Sequence, residues 1–131
     1  MIQGHCFCRR IAFQLNEEPR DRSFCHCESC RRASGATYVA WGTVDANKLL
    51  VTRGALELIQ SSPGVERGFC PACGTHLTYR NASRDDEIDV TLVSLQDPAR
   101  FPPDRHIWVK DKLPWITIGD ALDQLPGESG A

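Results

Sequence analysis

Short stretches of alternating apolar and polar residues run along this chain, and none has the period or length of a helix of three turns. The segment GHCFCRRIAFQL reads as two strands joined by a tight turn that carries Cys6 and Cys8. ATYVAWGTV, ALELIQ, ERGF, THLTYR and EIDVTLVSL read as further strands, punctuated by Gly, Pro, Asn and Asp. ESCRRAS, after Cys27, can form one short helical turn. HIWVKDKLPWI carries two tryptophans and a proline and is expected to pack across a sheet. The closing GDALDQLPGESGA is polar and is expected to fray. The pattern predicts a mainly β domain over residues 1–118 with only short helical turns, followed by a polar tail over 119–131.

Composition narrows the class. A chain of 131 residues suits one hydrophobic core, and 41% hydrophobic content lies in the ordinary globular range. A formal charge of −2 gives no basic footprint for nucleic acid. No apolar run is long enough to span a bilayer. The opening MIQGHCFCRR lacks the apolar segment of a secretory signal, so a cytoplasmic protein is expected, with neither nucleic acid nor membrane as partner.

Cysteine usage stands apart. The chain has seven cysteines, in three tight clusters: Cys6 and Cys8, then Cys25, Cys27 and Cys30, then Cys70 and Cys73. An odd count without an export signal argues against a disulfide framework and for thiolate–metal bonds. In GFCPACGT, Pro71 stiffens a turn and Gly74 can take a positive φ, so Cys70 and Cys73 point into one tetrahedron. The cluster at the start of the chain supplies the other half, giving a closed structural zinc site of Cys6, Cys8, Cys70 and Cys73. A redox reading of the C-x-x-C pairs lacks the βαβ context it needs.

That partition leaves three thiols. Structural zinc sites are closed, whereas catalytic ones keep three protein ligands and one exchangeable position. Four plus three therefore favours two zinc ions per chain, the second held by Cys25, Cys27 and Cys30 with one side open. A histidine, His5, His26 or His76, would instead close it, with His26 the worst placed because it lies between two ligands. Three thiolates donate strongly and blunt the metal toward water, but a soft site suits a fourth sulfur. A thiol entering there becomes a nucleophile at neutral pH, suited to addition to a small electrophile or to carbon–sulfur cleavage.

With GHCFC at 4–8, CHCESCRRASG at 25–35, RGFCPACGTHL at 67–77 and the later PPDRHIW and PW, the chain resembles the glutathione-dependent formaldehyde-activating enzyme family, whose domain is shared with centromere protein V. The resemblance implies an Mss4-like zinc-stabilised β-sheet domain. It implies the same division of the cysteines, with glutathione as co-substrate at the open zinc and formaldehyde as the aldehyde. The activity implied is that of a carbon–sulfur lyase run toward S-hydroxymethylglutathione. One departure is Arg9, where the family often has glycine. The alternative is a non-enzymatic zinc-stabilised β module that binds a protein partner.

Glutathione carries two carboxylates and an ammonium, so its site needs cations and donors. Arg31 and Arg32 follow the open cluster and are candidates for carboxylate contacts, with Ser34 as a donor beside them. His106 is a candidate proton carrier. Trp41, Trp108 and Trp115 are expected in core or sheet-covering roles.

Overall fold

The computed structural model describes residues 1–128. It is mainly β, with one α-helix among the described residues. A three-stranded antiparallel sheet is formed by β1 (Ile2–His5), β2 (Ala12–Leu15) and β5 (Leu49–Arg53) in the order β1-β2-β5. The larger sheet has eight strands: β3 (Arg20–Cys25), β4 (Val39–Asp45), β6 (Glu57–Ser62), β7 (Val65–Phe69), β8 (His76–Asn81), β9 (Glu87–Thr91), β10 (Arg105–Ile107) and β11 (Asp123–Gln124). Their order is β11-β10-β3-β4-β9-β8-β7-β6. The helix α1 (Glu28–Ser34) follows β3 and covers ESCRRAS.

Register sets what each face of the large sheet carries. Cys25 pairs with Val39 and Ile107, Thr43 with Asp89, Asp89 with Tyr79, and Tyr79 with Arg67. Side chains alternate along a strand, so these partners share one face of the sheet. The opposite face packs on the small sheet. There Phe13 and Leu15 join Val44, Val90, Leu92 and Leu95 in the main core, all at most 3% exposed. The protein thus has a sealed apolar interior on one side of its large sheet and a chemically varied concavity on the other.

Packing within the small sheet is close at Gly4, which pairs directly with Phe13; a Cβ at this position would overlap the Phe13 ring. Gly4→Ala is expected to cost about 1–3 kcal/mol through overpacking, read as a lower midpoint of thermal unfolding.

Two expectations for the end of the chain are corrected. HIWVKDKLPWI does not cross the sheet: only its start joins the large sheet, as β10 parallel to β3, and Trp115 is 68% exposed. The tail is docked rather than frayed through Gly127. The Leu125 amide donates to the His106 carbonyl at 2.8 Å, the Val109 amide to Leu125 at 3.0 Å and the Trp108 amide to Gly127 at 2.9 Å. Backbone groups at an exposed sheet edge want partners, and the polar tail supplies them. Its last positions, 129–131, lie outside the described residues. No helix among the described residues is long and apolar enough to cross a membrane.

Candidate metal centres

The turn between β1 and β2 and the turn between β7 and β8 meet where the two sheets join. The first brings Cys6 and Cys8, the second Cys70 and Cys73, and their four sulfurs lie within 4.8 Å of one another. Each turn closes on a residue in the left-handed region: Gly74 at φ 81° and Arg9 at φ 66°. Arg9 therefore performs the turn that glycine would perform at less cost. Its carbonyl is held by the Arg53 guanidinium at 2.9 Å.

The spacing fits zinc. Four sulfurs at about 2.3 Å from a tetrahedral ion stand about 3.8 Å apart. The Cys6–Cys8 and Cys8–Cys70 sulfurs are 3.6 and 3.7 Å apart, and none of these residues is in a disulfide. Amides are already turned toward the sulfurs, Ile11 to Cys6 at 3.3 Å and Cys73 to Cys70 at 3.4 Å. The Thr75 hydroxyl, 3.1 Å from the Cys73 sulfur, helps to hold that thiol down to about 5. Such donors favour the thiolate form that a metal needs.

The second group is Cys25, Cys27 and Cys30, whose sulfurs also lie within 4.8 Å of one another. Cys25 ends β3. Cys27 is the N-cap of α1, and its sulfur accepts from the Cys30 amide at 3.3 Å. Cys30 points inward from the first turn and is 5% exposed. Crowding splits their proton affinities: hydrogen bonding to Cys27 drives Cys25 far up, whereas donation from Cys25 and Cys27 pulls Cys30 down. Three thiolates so close cannot all be charged without a cation between them, so this donor set also fits a divalent metal.

No histidine joins either group among the described residues. His5 donates from Nδ1 to the backbone carbonyl of Cys6 at 2.8 Å. His76 is half-buried with Nδ1 unpartnered. His26 and His106 are fully or nearly buried and bonded to each other at 2.9 Å, and His106 reaches Asp120 at 2.9 Å. A carboxylate only accepts, so His106 donates from Nε2 to Asp120, leaving Nδ1 for His26. His106 alternates with the cavity-facing Ile107, so its ring lies on the far face of the sheet, stacked on Phe24. The candidate proton carrier is thus a buttress for the chain between Cys25 and Cys27 and a clamp on the tail.

The three-sulfur group opens into a cavity of about 780 Å³ on the free face of the large sheet. Trp41, Tyr79 and Trp108 line it near the sulfurs. Four residues along β4 from Val39, about 13 Å away at strand rise, Thr43 donates to the partly buried Asp89 at 2.7 Å. Burial raises the Asp89 carboxyl despite that bond and Arg84 at 3.4 Å. The cavity's cations are Arg67, Arg84 and Arg105.

Arg31, Arg32 and Ser34 are not brought to this cavity. Arg31 donates to the backbone of His26 and Asp111, both at 3.4 Å. Arg32 pairs with Glu28 at 3.0 Å on the exposed face of α1. The Ser34 hydroxyl closes the helix by donating to the Cys30 carbonyl at 2.7 Å. Arg31 and Arg32, one and two positions after the inward Cys30, fall on other sides of the helix, whereas Ser34, one turn on, shares the face of Cys30 but spends its hydroxyl on the Cys30 carbonyl. Arg67 was missed in the sequence, although in ERGF it stands at an inward strand position.

Comparison with known proteins now bears on this arrangement. Residues 1–111 match the family described as glutathione-dependent formaldehyde-activating enzyme. The chain belongs to that family. A Schizosaccharomyces pombe protein named as an uncharacterized lyase is 32% identical over 113 residues, covering 84% of this chain and 80% of its own length. A Phaeosphaeria nodorum protein named "Putative glutathione-dependent formaldehyde-activating enzyme" is 29% identical over 97 residues, covering 71% of this chain. This member of the family spans about half the length of that relative, 51%. A crystal structure of a Rhodobacter sphaeroides protein matches with a TM-score of 0.61 and 29% identity, over 72% of this chain and 87% of the other. The names of the relatives support an enzyme role, and the cysteine groups could hold metal ions.

Proposed function

We propose that this family member adds a thiol, glutathione in the first instance, to formaldehyde or a similarly small aldehyde at Cys25, Cys27 and Cys30. The observation that carries the reading is a three-sulfur group, without a histidine, opening into a cavity. Cys6, Cys8, Cys70 and Cys73 take the structural zinc. A second zinc, held by Cys25, Cys27 and Cys30, supplies affinity for a soft fourth ligand and lowers the proton affinity of a thiol.

The chain's own residues do the rest. Trp41, Tyr79 and Trp108 wall the sulfurs and limit water around the reacting sulfur and carbon. The thiol sulfur adds to the carbonyl carbon, the C=O pair moves to oxygen, and the proton given up by the thiol is restored to that oxygen. Reversal cleaves the same carbon–sulfur bond. A tripeptide extends about 10 Å at 3.5 Å per residue. The distance to the Thr43–Asp89 end of the cavity therefore leaves room for the rest of glutathione, where Asp89 suits its ammonium and Arg84 a carboxylate.

The addition also runs spontaneously, so exchange between free and thiol-bound formaldehyde should be measured at equilibrium by NMR against a protein-free control. The zinc-loaded protein is expected to raise the exchange rate at least tenfold, and removal of zinc by a chelator to return it to background. An exchange rate equal to background with two zincs bound would contradict the proposal.

A further inference from the structure

The Arg67 side chain is 3% exposed, yet it forms no ion pair with a carboxylate among the described residues. It lies over the Tyr79 ring at 5.0 Å, and its Nε donates to the Ser61 hydroxyl at 3.0 Å. Its terminal nitrogens stand 3.8 and 3.9 Å from the Cys30 sulfur. A guanidinium has five N–H donors. One goes to Ser61 and one from each terminal nitrogen to Cys30, so two remain, on a residue that lines the cavity. The Cys30 sulfur, a thiolate when it holds a metal, meets part of this charge, and the two idle donors still favour an anionic oxygen in the cavity. Ser61 and Tyr79 fix its plane, so little reorganisation is needed when one arrives.

We propose that Arg67 receives the oxygen that sits one carbon from the sulfur of the bound thiol. This rests on the thiol–aldehyde reading of the same site, and it adds the group that stabilises the transition state. As the sulfur–carbon bond forms, the carbonyl oxygen gains the electron pair of the C=O bond. Arg67 donates to that oxygen until it is protonated, and lets go when the neutral hydroxymethyl thioether leaves. Arg67 is then a catalytic residue, and the ligand class it selects is a thiol bearing an anionic oxygen on the adjacent carbon.

Thioacetate carries that S–C–O unit and ethanethiol does not. Binding of each to the zinc-loaded full chain is read by calorimetry for the wild type, Arg67→Met and Arg67→Lys, with zinc content checked in each. Arg67→Met is expected to weaken thioacetate about tenfold more than ethanethiol, the loss of a charge-assisted hydrogen bond. Arg67→Lys is expected to fall between, and it carries the test should Arg67→Met not fold. Equal weakening of both probes, or loss of the second zinc, would overturn the inference and make Arg67 a support for Cys30. Failure of both thiols to bind the wild type would overturn it together with the reading it rests on. Selective loss of thioacetate in a wild-type background that shows no formaldehyde exchange would uphold Arg67 as the oxygen receptor and sink the aldehyde reaction alone.

Discussion

Alanine at Cys27 is expected to abolish thiol addition to the aldehyde and to leave the protein folded. The catalysed exchange should fall by more than about a hundredfold, since even an outer partner of a metal ligand costs 10- to 100-fold. The effect on stability is separable, because the Cys27 sulfur also caps α1. Losing a cap costs about 1 kcal/mol, well short of unfolding a domain. Serine at Cys27 sharpens the test, because serine is a good N-cap and a poor zinc ligand. Cys27→Ser should melt near the wild type and be as inactive as Cys27→Ala. Activity surviving in Cys27→Ser with normal zinc content would remove this group from the chemistry.

Alanine at Cys70 is expected to do the opposite and unfold the domain. Cys70 is 1% exposed and belongs to the main core, and its group links the hairpin of the small sheet to a hairpin of the large one. Structural zinc binding contributes about 10–16 kcal/mol of apparent folding free energy, against a usual net stability of about 5–15 kcal/mol. Without that group the small sheet is held by apolar contact and a few hydrogen bonds, such as those from the Phe7 amide to Thr75 and from the Gln96 amide to Gln3. Circular dichroism should show lost cooperativity at all temperatures above freezing, and a chelator should do the same to the wild type. A folded Cys70→Ala with the wild-type melting temperature would show that the cysteines are divided wrongly.

What could be read from the sequence followed a physical rule. The alternation in THLTYR and EIDVTLVSL and the turn in GHCFCRR are local signals, and they placed strands well. The strand over Glu87–Thr91 nevertheless ends before LVS, which turns into a short 3₁₀ segment. The strands β3 and β5 went unforeseen because charged residues interrupt RDRSFC, while LLVTR is short, follows Lys48 and ends in Arg53, and pairing with neighbours overrode the weak pattern. Cysteine spacing was legible because ligand geometry is short-range within each turn. Arg67 was not, because its approach to Cys30 crosses 37 residues and depends on register across three strands and a helix. For the same reason adjacency to Cys30 did not place Arg31, Arg32 and Ser34 on the cavity wall. Arg31 and Arg32 turn to other sides of the helix, and the Ser34 hydroxyl is held by the Cys30 carbonyl.

The docked tail has the same origin. Nothing in GDALDQLPGESGA signals a strand, but the backbone of β10 has an open edge and Asp120 meets His106 there. Hydrogen bonding from His106 holds the Asp120 carboxyl below its usual value, a sign that the contact favours the charged form.

The central claim is that the two cysteine groups have different jobs, one closed and one open to a thiol. Native mass spectrometry of the zinc-loaded chain, with and without glutathione, tests it most directly. The expected result is two zincs per chain and one glutathione adduct, with Cys27→Ser retaining one zinc and showing no adduct. Two zincs with no adduct in the wild type, or an adduct that persists in Cys27→Ser, would contradict it.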